Sequence, residues 1–190
     1  MTNPNFDYQK LYDRLYEEGY HSDLDYSHAK EICDWIENNI QFSSILDVGC
    51  SHGWVIRRFP DRYAWGVDVS EAAIQLAHAA GSMTAIRGSA IDLPFPSDSF
   101  DIVLSTDCIE HLTEADADLA AKEMLRVARR WVIVKPSPRP DRARWKEIAG
   151  HNLHLTVKPI QWWLDTFVEF GGQIVHEGDE WFVMENGVQE

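Results

Sequence analysis

Residues 45–54 read ILDVGCSHGW, and this stretch carries the strongest fold signal in the chain. An apolar run leads into Asp47-x-Gly49, and Gly53 follows four residues later. A continuous apolar run that ends in glycine is typical of a strand buried on both faces of a parallel sheet. Glycine also permits a positive φ and close approach of the backbone to a ligand. The stretch therefore predicts a strand, a tight binding loop and the start of a helix.

The regions on either side of this stretch alternate between strand and helix patterns. The first forty residues predict two helices, one ended by Gly19 and one capped by Ser27. Further strands are predicted at residues 64–70, 84–88, 100–106 and 131–135, with helices at residues 52–59, 71–80 and 116–130. A proline-rich loop, a helix at residues 158–172 and two short strands around a Gly-Asp turn complete the chain. This order predicts an α/β fold with a seven-stranded, mostly parallel sheet, an antiparallel last strand, and helices on both faces.

Bulk composition excludes several classes of protein. The 190 residues suit one domain, and the 17 Lys and Arg against 31 Asp and Glu give a net charge of −14 that repels nucleic-acid phosphates. The basic residues between 126 and 146 are interpreted as a solvated face. No apolar run approaches the roughly 18 residues needed to cross a bilayer, and residues 1–10 lack a signal-peptide core. Three widely spaced cysteines without a CxxC pair favour a reducing, cytoplasmic location.

Acidic residues follow three successive predicted strands. Asp68 comes nineteen residues after Gly49, where a carboxylate can accept both hydroxyls of a ribose. Asp92 lies beside the apolar Ile91, a combination that suits the amine and ring of adenine. Three acids at strand ends disfavour a pyrophosphate, which prefers amides and cations. They favour a nucleoside whose other end is positively charged.

Several stretches of the chain together resemble a known protein family. The stretches ILDVGCSHGW, GVDVS, GSAIDLPFPSDSFDIVLSTDCIEHL and WVIVKP are similar to successive motifs of class I S-adenosylmethionine (SAM)-dependent methyltransferases, over roughly residues 40 to 136. The nearest group is the small-molecule type that includes quinone-biosynthesis and sugar methyltransferases. The resemblance implies a Rossmann-like fold, SAM as cofactor and a small-molecule acceptor. It leaves the acceptor and the oligomeric state open.

The resemblance also implies roles for individual residues. Asp47 and Gly49 would lie under the methionine part of SAM, and Asp68 would hold the ribose hydroxyls. The remaining implied contacts are Val69, Ala90, Ile91 and Asp92 around the adenine, and Thr106 and Asp107 near the sulfonium. Ser51 and Gly53 belong to the same loop. Ser51 departs from the family, which usually has a second glycine there; a negative φ would accommodate its side chain, and its hydroxyl is a candidate contact for the cofactor carboxylate.

Three histidines are candidates for acceptor chemistry. His111 follows Glu110 after the fourth strand, and is either a general base or a residue that holds the loop. His151 and His154 lie in the long connection before the next helix, as base, substrate contact or metal ligands; since no Cys or close carboxylate pair completes a site, no metal is predicted. The segment YEEGYHSD at residues 16–23 is a candidate lid, because tyrosine faces attract a sulfonium.

The predicted organisation is a single methyltransferase domain over residues 1–190. It has an N-terminal helical cap (1–40), a cofactor-binding half (41–135), and a substrate loop, helix and hairpin (136–190). Two alternative functions stay open: a non-catalytic SAM-binding or scaffold domain, and a dinucleotide-dependent oxidoreductase, although the latter predicts a fuller G-x-G-x-x-G. A nucleic-acid methyltransferase is disfavoured by the charge and by STDCIE at residues 105–110, where amino-directed DNA enzymes carry Asn/Asp-Pro-Pro-aromatic.

Overall fold

The computed structural model describes residues 7–20, 29–141 and 143–187. Over these residues a seven-stranded sheet forms, in the order β3-β2-β1-β4-β5-β7-β6. The strands are β1 (Ser44–Val48), β2 (Tyr63–Asp68), β3 (Ala85–Arg87), β4 (Phe100–Thr106), β5 (Ala128–Lys135), β6 (Gly172–Glu177) and β7 (Phe182–Asn186). The first five are mutually parallel, and β7 pairs antiparallel with both β5 and β6. The predicted fold class is confirmed.

Seven α-helices accompany the sheet in the described part of the chain. They are α1 (Tyr8–Glu17), α2 (Lys30–Asn39), α3 (Trp54–Arg58), α4 (Glu71–Ala79), α5 (Glu114–Val127), α6 (Ala143–Ala149) and α7 (Ile160–Glu169). Side chains cap three of them, because Asp7 accepts from the Lys10 amide, Ser70 from the Ala73 amide and Thr113 from the Asp116 amide. A short 3₁₀ turn, Ile109–His111, follows β4.

Both faces of the central strands are buried, which explains their continuous apolar sequences. On one face, Leu46 pairs with Val103 and packs in the same cluster as side chains of α5 and α7. On the other face, Ile45 pairs with Ile102 and packs in the cluster that contains side chains of α2, α3 and α4. Alternate residues of each strand thus serve opposite cores. Helices on both faces are the result.

The boundary between α5 and β5 differs from the prediction. The helix ends at Val127 instead of residue 130, and Ala128 opens the strand opposite Phe100. The guanidinium of Arg129 binds the Asp101 carboxylate near the amino ends of β5 and β4, and Arg130 pairs with Glu185. Pairing with β4 therefore overrides the helix propensity of these residues.

The structure adds detail to the predicted C-terminal half and leaves one predicted helix cap untested. The connection expected between β5 and α7 contains α6, which the prolines at positions 136, 138 and 140 obscured. The antiparallel last strand, β7, lies inside the sheet between β5 and β6, and β6 forms the edge. Ser27, predicted to cap α2, lies outside the described residues.

In the described ranges, none of the helices has the length and apolar character that a bilayer crossing requires.

Candidate cofactor and active site

A cleft opens beyond the carboxyl ends of β1, β2 and β4 and is roofed by α1. Its empty volume, including open solvent at the mouth, is about 1040 Å³. Eight of the eleven residues predicted to contact the cofactor line it: Asp47, Gly49, Ser51, Asp68, Val69, Ala90, Thr106 and Asp107. The location is the one that open parallel sheets generally use for ligands.

The loop after β1 depends on Gly49. Its φ is 83°, and a Cβ atom there would stand 2.3 Å from the Cys108 sulfur. The amides of Gly49 and Cys50 both donate to the Val67 carbonyl, which holds the loop against β2. Gly53, with φ of 73°, begins α3 as its N-cap residue. The loop is therefore fixed by backbone geometry that only glycine adopts without strain at position 49.

Ser51 also has a left-handed backbone, with φ of 49°. The expectation that a negative φ accommodates its side chain is wrong. The Ser51 amide donates to Asp68 Oδ2 at 2.9 Å, and this contact holds the left-handed turn in place. Its hydroxyl is buried beside the Tyr16 side chain.

Asp47 presents a buried carboxylate to the cleft. The residue is 5% exposed and accepts no hydrogen bond from the described residues. Burial, reinforced by the nearby negative charge of Asp68, raises the pKa of Asp47 to about 7. A carboxylate in this environment is stabilised by a cationic ligand group.

Asp68 has a structural role that its sequence position does not reveal. Its two carboxylate oxygens accept from the Ser51 amide at 2.9 Å and the Ser70 amide at 3.0 Å, joining the first loop to the start of α4. Burial raises the pKa of Asp68 to about 6, although these amide hydrogen bonds oppose the shift. Asp68 also lines the cleft, so the same carboxylate holds the loop and is available to a ligand.

The adenine side is only partly brought together. Val69 and Ala90 line the cleft, next to Ser89. Ile91 and Asp92 are not among the lining residues, and the Asp92 side chain is exposed beyond a one-residue bridge to Ser89. The geometry therefore gives no support to the expected adenine contact of Asp92.

Four tyrosines spaced four residues apart cover the cleft from α1 and its C-terminal end. Tyr8, Tyr12, Tyr16 and Tyr20 all line it, and Trp54 joins them from α3. Tyr20 packs edge-to-face against Trp145 of α6. Burial raises the pKa of Tyr12, Tyr16 and Tyr20 well above the usual range, so these rings are neutral. Residues 21–23 of the candidate lid lie outside the described part of the chain. Tyr8, which precedes the candidate lid in the sequence, also lines the cleft.

Two of the three histidine candidates meet, and the third lies apart. His111 lines the cleft, and its Nδ1 lies 2.6 Å from the Tyr12 hydroxyl. The His154 ring stands edge-to-face on His111 with centroids 4.7 Å apart. His151 faces a different, shallow pocket beside Leu11 and Ile148, and is not brought to the cleft.

Glu110, adjacent to His111, is fully buried beneath these rings. Its Oε1 accepts from the Ser137 amide at 3.0 Å, while burial and the neighbouring Asp107 raise its pKa to about 8. The sequence shows the adjacent Glu110 and His111. It does not show that His154, about forty residues later, lies beside them. Only the path of the chain through α6 reveals this contact.

Comparisons with known proteins agree with this geometry. Residues 45–130 match the family model described as a methyltransferase domain. Ajmaline N-methyltransferase of Rauvolfia serpentina is 33% identical over 95 residues, covering 45% of this chain and 32% of that protein. Fatty-acid O-methyltransferase of Mycolicibacterium smegmatis is 27% identical over 116 residues, covering 57% and 42%. The chain thus spans about a third to two fifths of the length of these curated relatives.

The fold recurs in solved structures at low sequence identity. Magnesium protoporphyrin IX methyltransferase (ChlM) of Synechocystis PCC 6803, solved with bound SAM, superposes with a TM-score of 0.70 at 14% identity, covering 97% of this chain and 98% of that one. This likeness concerns the fold, whereas the family match concerns the strand-end motifs of the cleft. Residues 45–130 are thus similar to a methyltransferase domain, and the chain shares the fold of a methyltransferase solved with bound SAM.

Proposed function

We propose that this chain transfers the methyl group of SAM to an oxygen or nitrogen of a small-molecule acceptor. The observation that carries the proposal is the cleft itself, in which two buried carboxylates and a positive-φ loop lie under a roof of tyrosines. A dinucleotide would place a pyrophosphate against Asp47 and Asp68, which repel it. The same carboxylates favour a nucleoside with a cationic end.

The residues present fit the cofactor. Asp47 would hold its ammonium, since this carboxylate is buried and accepts no hydrogen bond from the described residues. Asp68 would bind the ribose hydroxyls while keeping its bonds to the Ser51 and Ser70 amides. Val69 and Ala90 would contact the adenine. When bound, SAM supplies a methyl carbon made electrophilic by the sulfonium.

The protein contributes mainly position to methyl transfer. Holding the acceptor in line can supply roughly 7–11 kcal/mol of the barrier. The tyrosine roof excludes water, and neutral aromatic faces attract a sulfonium. His111 is the histidine candidate that lines the cleft, where it would take the proton that the acceptor loses or orient the acceptor. Thr106 and Asp107 would face the methyl end.

We infer an acceptor pocket built from the connection 136–158 and the N-terminal helices. In this division residues 1–40 form the cap, 41–135 hold the cofactor and 136–190 complete the substrate side, all within one domain. A small acceptor in the cytoplasm fits the three cysteines, none of which is in a disulfide. A nucleic-acid acceptor is disfavoured because basic residues of the segment 126–146 are paired with carboxylates, as in Arg129–Asp101 and Arg139–Glu180.

Two measurements test the proposal. Thermal unfolding in the presence of S-adenosylhomocysteine (SAH) or NAD separates the ligands: we expect SAH alone to raise the melting temperature. A screen of small acceptors with methyl-labelled SAM then reports turnover. Stabilisation by NAD alone overturns the proposal, and SAH binding without turnover on any class of acceptor supports the non-catalytic alternative.

A further inference from the structure

Glu110, His111 and His154 form a cluster at the wall of the cofactor cleft. One ligand atom of each lies within 4.8 Å of one ligand atom of the others. Glu110 and His111 lie in the 3₁₀ turn after β4, and His154 comes from the connection between α6 and α7. His111 lines the cleft, so the cluster borders the end where the methyl acceptor is expected.

The carboxylate of Glu110 lacks a complete set of partners. The residue is 0% exposed, its Oε1 accepts from the Ser137 amide, and its Oε2 is buried with no hydrogen bond to any described residue. An unsatisfied buried carboxylate oxygen is costly. A cation bound at Oε2 would satisfy this oxygen.

The two imidazoles are oriented by contacts on their other sides. His154 Nδ1 lies 2.5 Å from the Arg139 carbonyl oxygen, which can only accept, so Nδ1 carries the proton and Nε2 carries the lone pair. His111 Nδ1 is held by the Tyr12 hydroxyl at 2.6 Å. A histidine that ligates a metal through one nitrogen typically donates from the other to a carbonyl or hydroxyl in this way.

We propose that Glu110, His111 and His154 bind a divalent transition-metal ion, with Zn²⁺ as the best match to two imidazoles and one carboxylate. Tetrahedral ligands at ordinary Zn²⁺ distances stand about 3.4 Å apart. The three ligand atoms lie within 4.8 Å of one another, so binding an ion would draw them closer together. Three protein ligands leave a position open toward the cleft.

The open position gives the site a second consequence, which rests on the proposed function. A hydroxyl or carbonyl oxygen of the acceptor would complete the coordination, because such an ion binds and polarises oxygen. An acceptor that presents an oxygen to this wall is therefore favoured over one that presents only apolar groups. With an ion bound, His111 would orient the acceptor through the ion and would not take its proton. The metal site itself is independent of the identity of the cofactor.

Metal binding is tested on the full chain without a histidine tag, after dialysis against EDTA. Co²⁺, a spectroscopic substitute for Zn²⁺, is titrated while its visible absorption is recorded, and Zn²⁺ is measured by equilibrium dialysis. We expect one equivalent to bind, and binding to weaken by about 100-fold or more in Glu110→Gln and in His154→Ala, since even loss of an outer-shell partner costs 10–100-fold. His151→Ala, three residues from His154 and outside the cluster, is the matched control and should bind like the wild type.

SAH affinity in EDTA distinguishes this proposal from the proposed function. His154→Ala should retain wild-type SAH affinity and circular dichroism, which shows that lost metal binding is not lost folding. If the wild type binds no ion, or if His154→Ala and His151→Ala bind ions equally, the proposal is overturned and the cluster is a hydrogen-bonded group around a neutral Glu110. Failure of SAH binding in the wild type overturns the proposed function instead.

Discussion

Ser51 has a left-handed backbone at the tightest point of the cofactor loop. That conformation costs a residue with a Cβ atom roughly 1–2 kcal/mol. Glycine avoids this cost, but it loses more conformational entropy on folding, which cancels part of the gain. We expect Ser51→Gly to raise the free energy of unfolding by about 0.5–1 kcal/mol in urea denaturation. Ser51→Ala keeps the Cβ atom and should show no such gain. Equal gains in both variants would assign the effect to the buried hydroxyl and not to the backbone.

Asp47 should affect stability and cofactor affinity in opposite directions. Asp47→Asn removes a buried charge and its repulsion from Asp68, so without ligand at pH 8 we expect an increase of about 1–3 kcal/mol in the free energy of unfolding. The same change removes the partner of the cofactor ammonium and should weaken SAH binding by roughly 10–100-fold in calorimetry. Asp165→Asn, at an exposed site on α7, is the control and should change neither quantity. A destabilised Asp47→Asn variant would contradict the assignment.

The pH dependence of stability follows from the same group. The pKa of Asp47 is raised by folding from 3.8 to about 7, so between these values the folded state binds more protons than the unfolded state. The contribution is fully present below about pH 4 and is lost as the pH rises to 7, by at most roughly 4 kcal/mol. Asp68, raised to about 6, acts in the same direction. Chemical denaturation of the ligand-free protein from pH 5 to 8 should therefore show falling stability, with a shallower slope in Asp47→Asn.

Among the elements, those with buried periodic sequences are the ones that the sequence predicts well. β1 and β4 are continuous apolar runs because they serve both cores. α7 is preceded by its N-cap residue Pro159 and followed by the left-handed Gly171, as the backbone preferences of these residues predict. The α5–β5 boundary was missed because strand pairing, a long-range contact, decides it. Contacts between distant loops are not predicted for the same reason. The proximity of His154 to Glu110 and the exposure of Asp92 both depend on the tertiary fold and not on local sequence.

Helix α1 is expected to depend on the ligand more than the rest of the fold. It covers the cleft through its tyrosines, and is tied to the protein by Asp13, which accepts from Ser70 and the Ala72 amide, and by the Tyr8–Asp116 hydrogen bond. SAH between these tyrosines and the loop would add contacts to α1 and few to α7. Hydrogen exchange should slow on SAH binding for the amides of Tyr8–Glu17 and stay unchanged for Ile160–Glu169. Unchanged exchange in α1 would exclude it as a lid.

At the scale of the whole molecule, several basic side chains are paired with carboxylates, and acidic side chains are in excess. Arg126, Arg129 and Arg130 are each within ion-pair distance of a carboxylate, so the basic segment is locally neutralised. The excess of acidic residues that produces the net charge of −14 remains. Mutual repulsion of these charges acts over distances comparable to the Debye length and opposes the compact state.

Salt should therefore stabilise this protein. Raising NaCl from about 20 mM to 300 mM shortens the Debye length from roughly 20 Å to 6 Å, which weakens the long-range repulsion more than the short ion pairs. We expect a gain of about 1 kcal/mol, or roughly 3 °C in melting temperature for a chain of this size. At pH 5 the gain should shrink, because partial protonation of carboxylates and His reduces the net charge. A melting temperature that falls with NaCl at pH 8 would show instead that the surface ion pairs outweigh the excess negative charge.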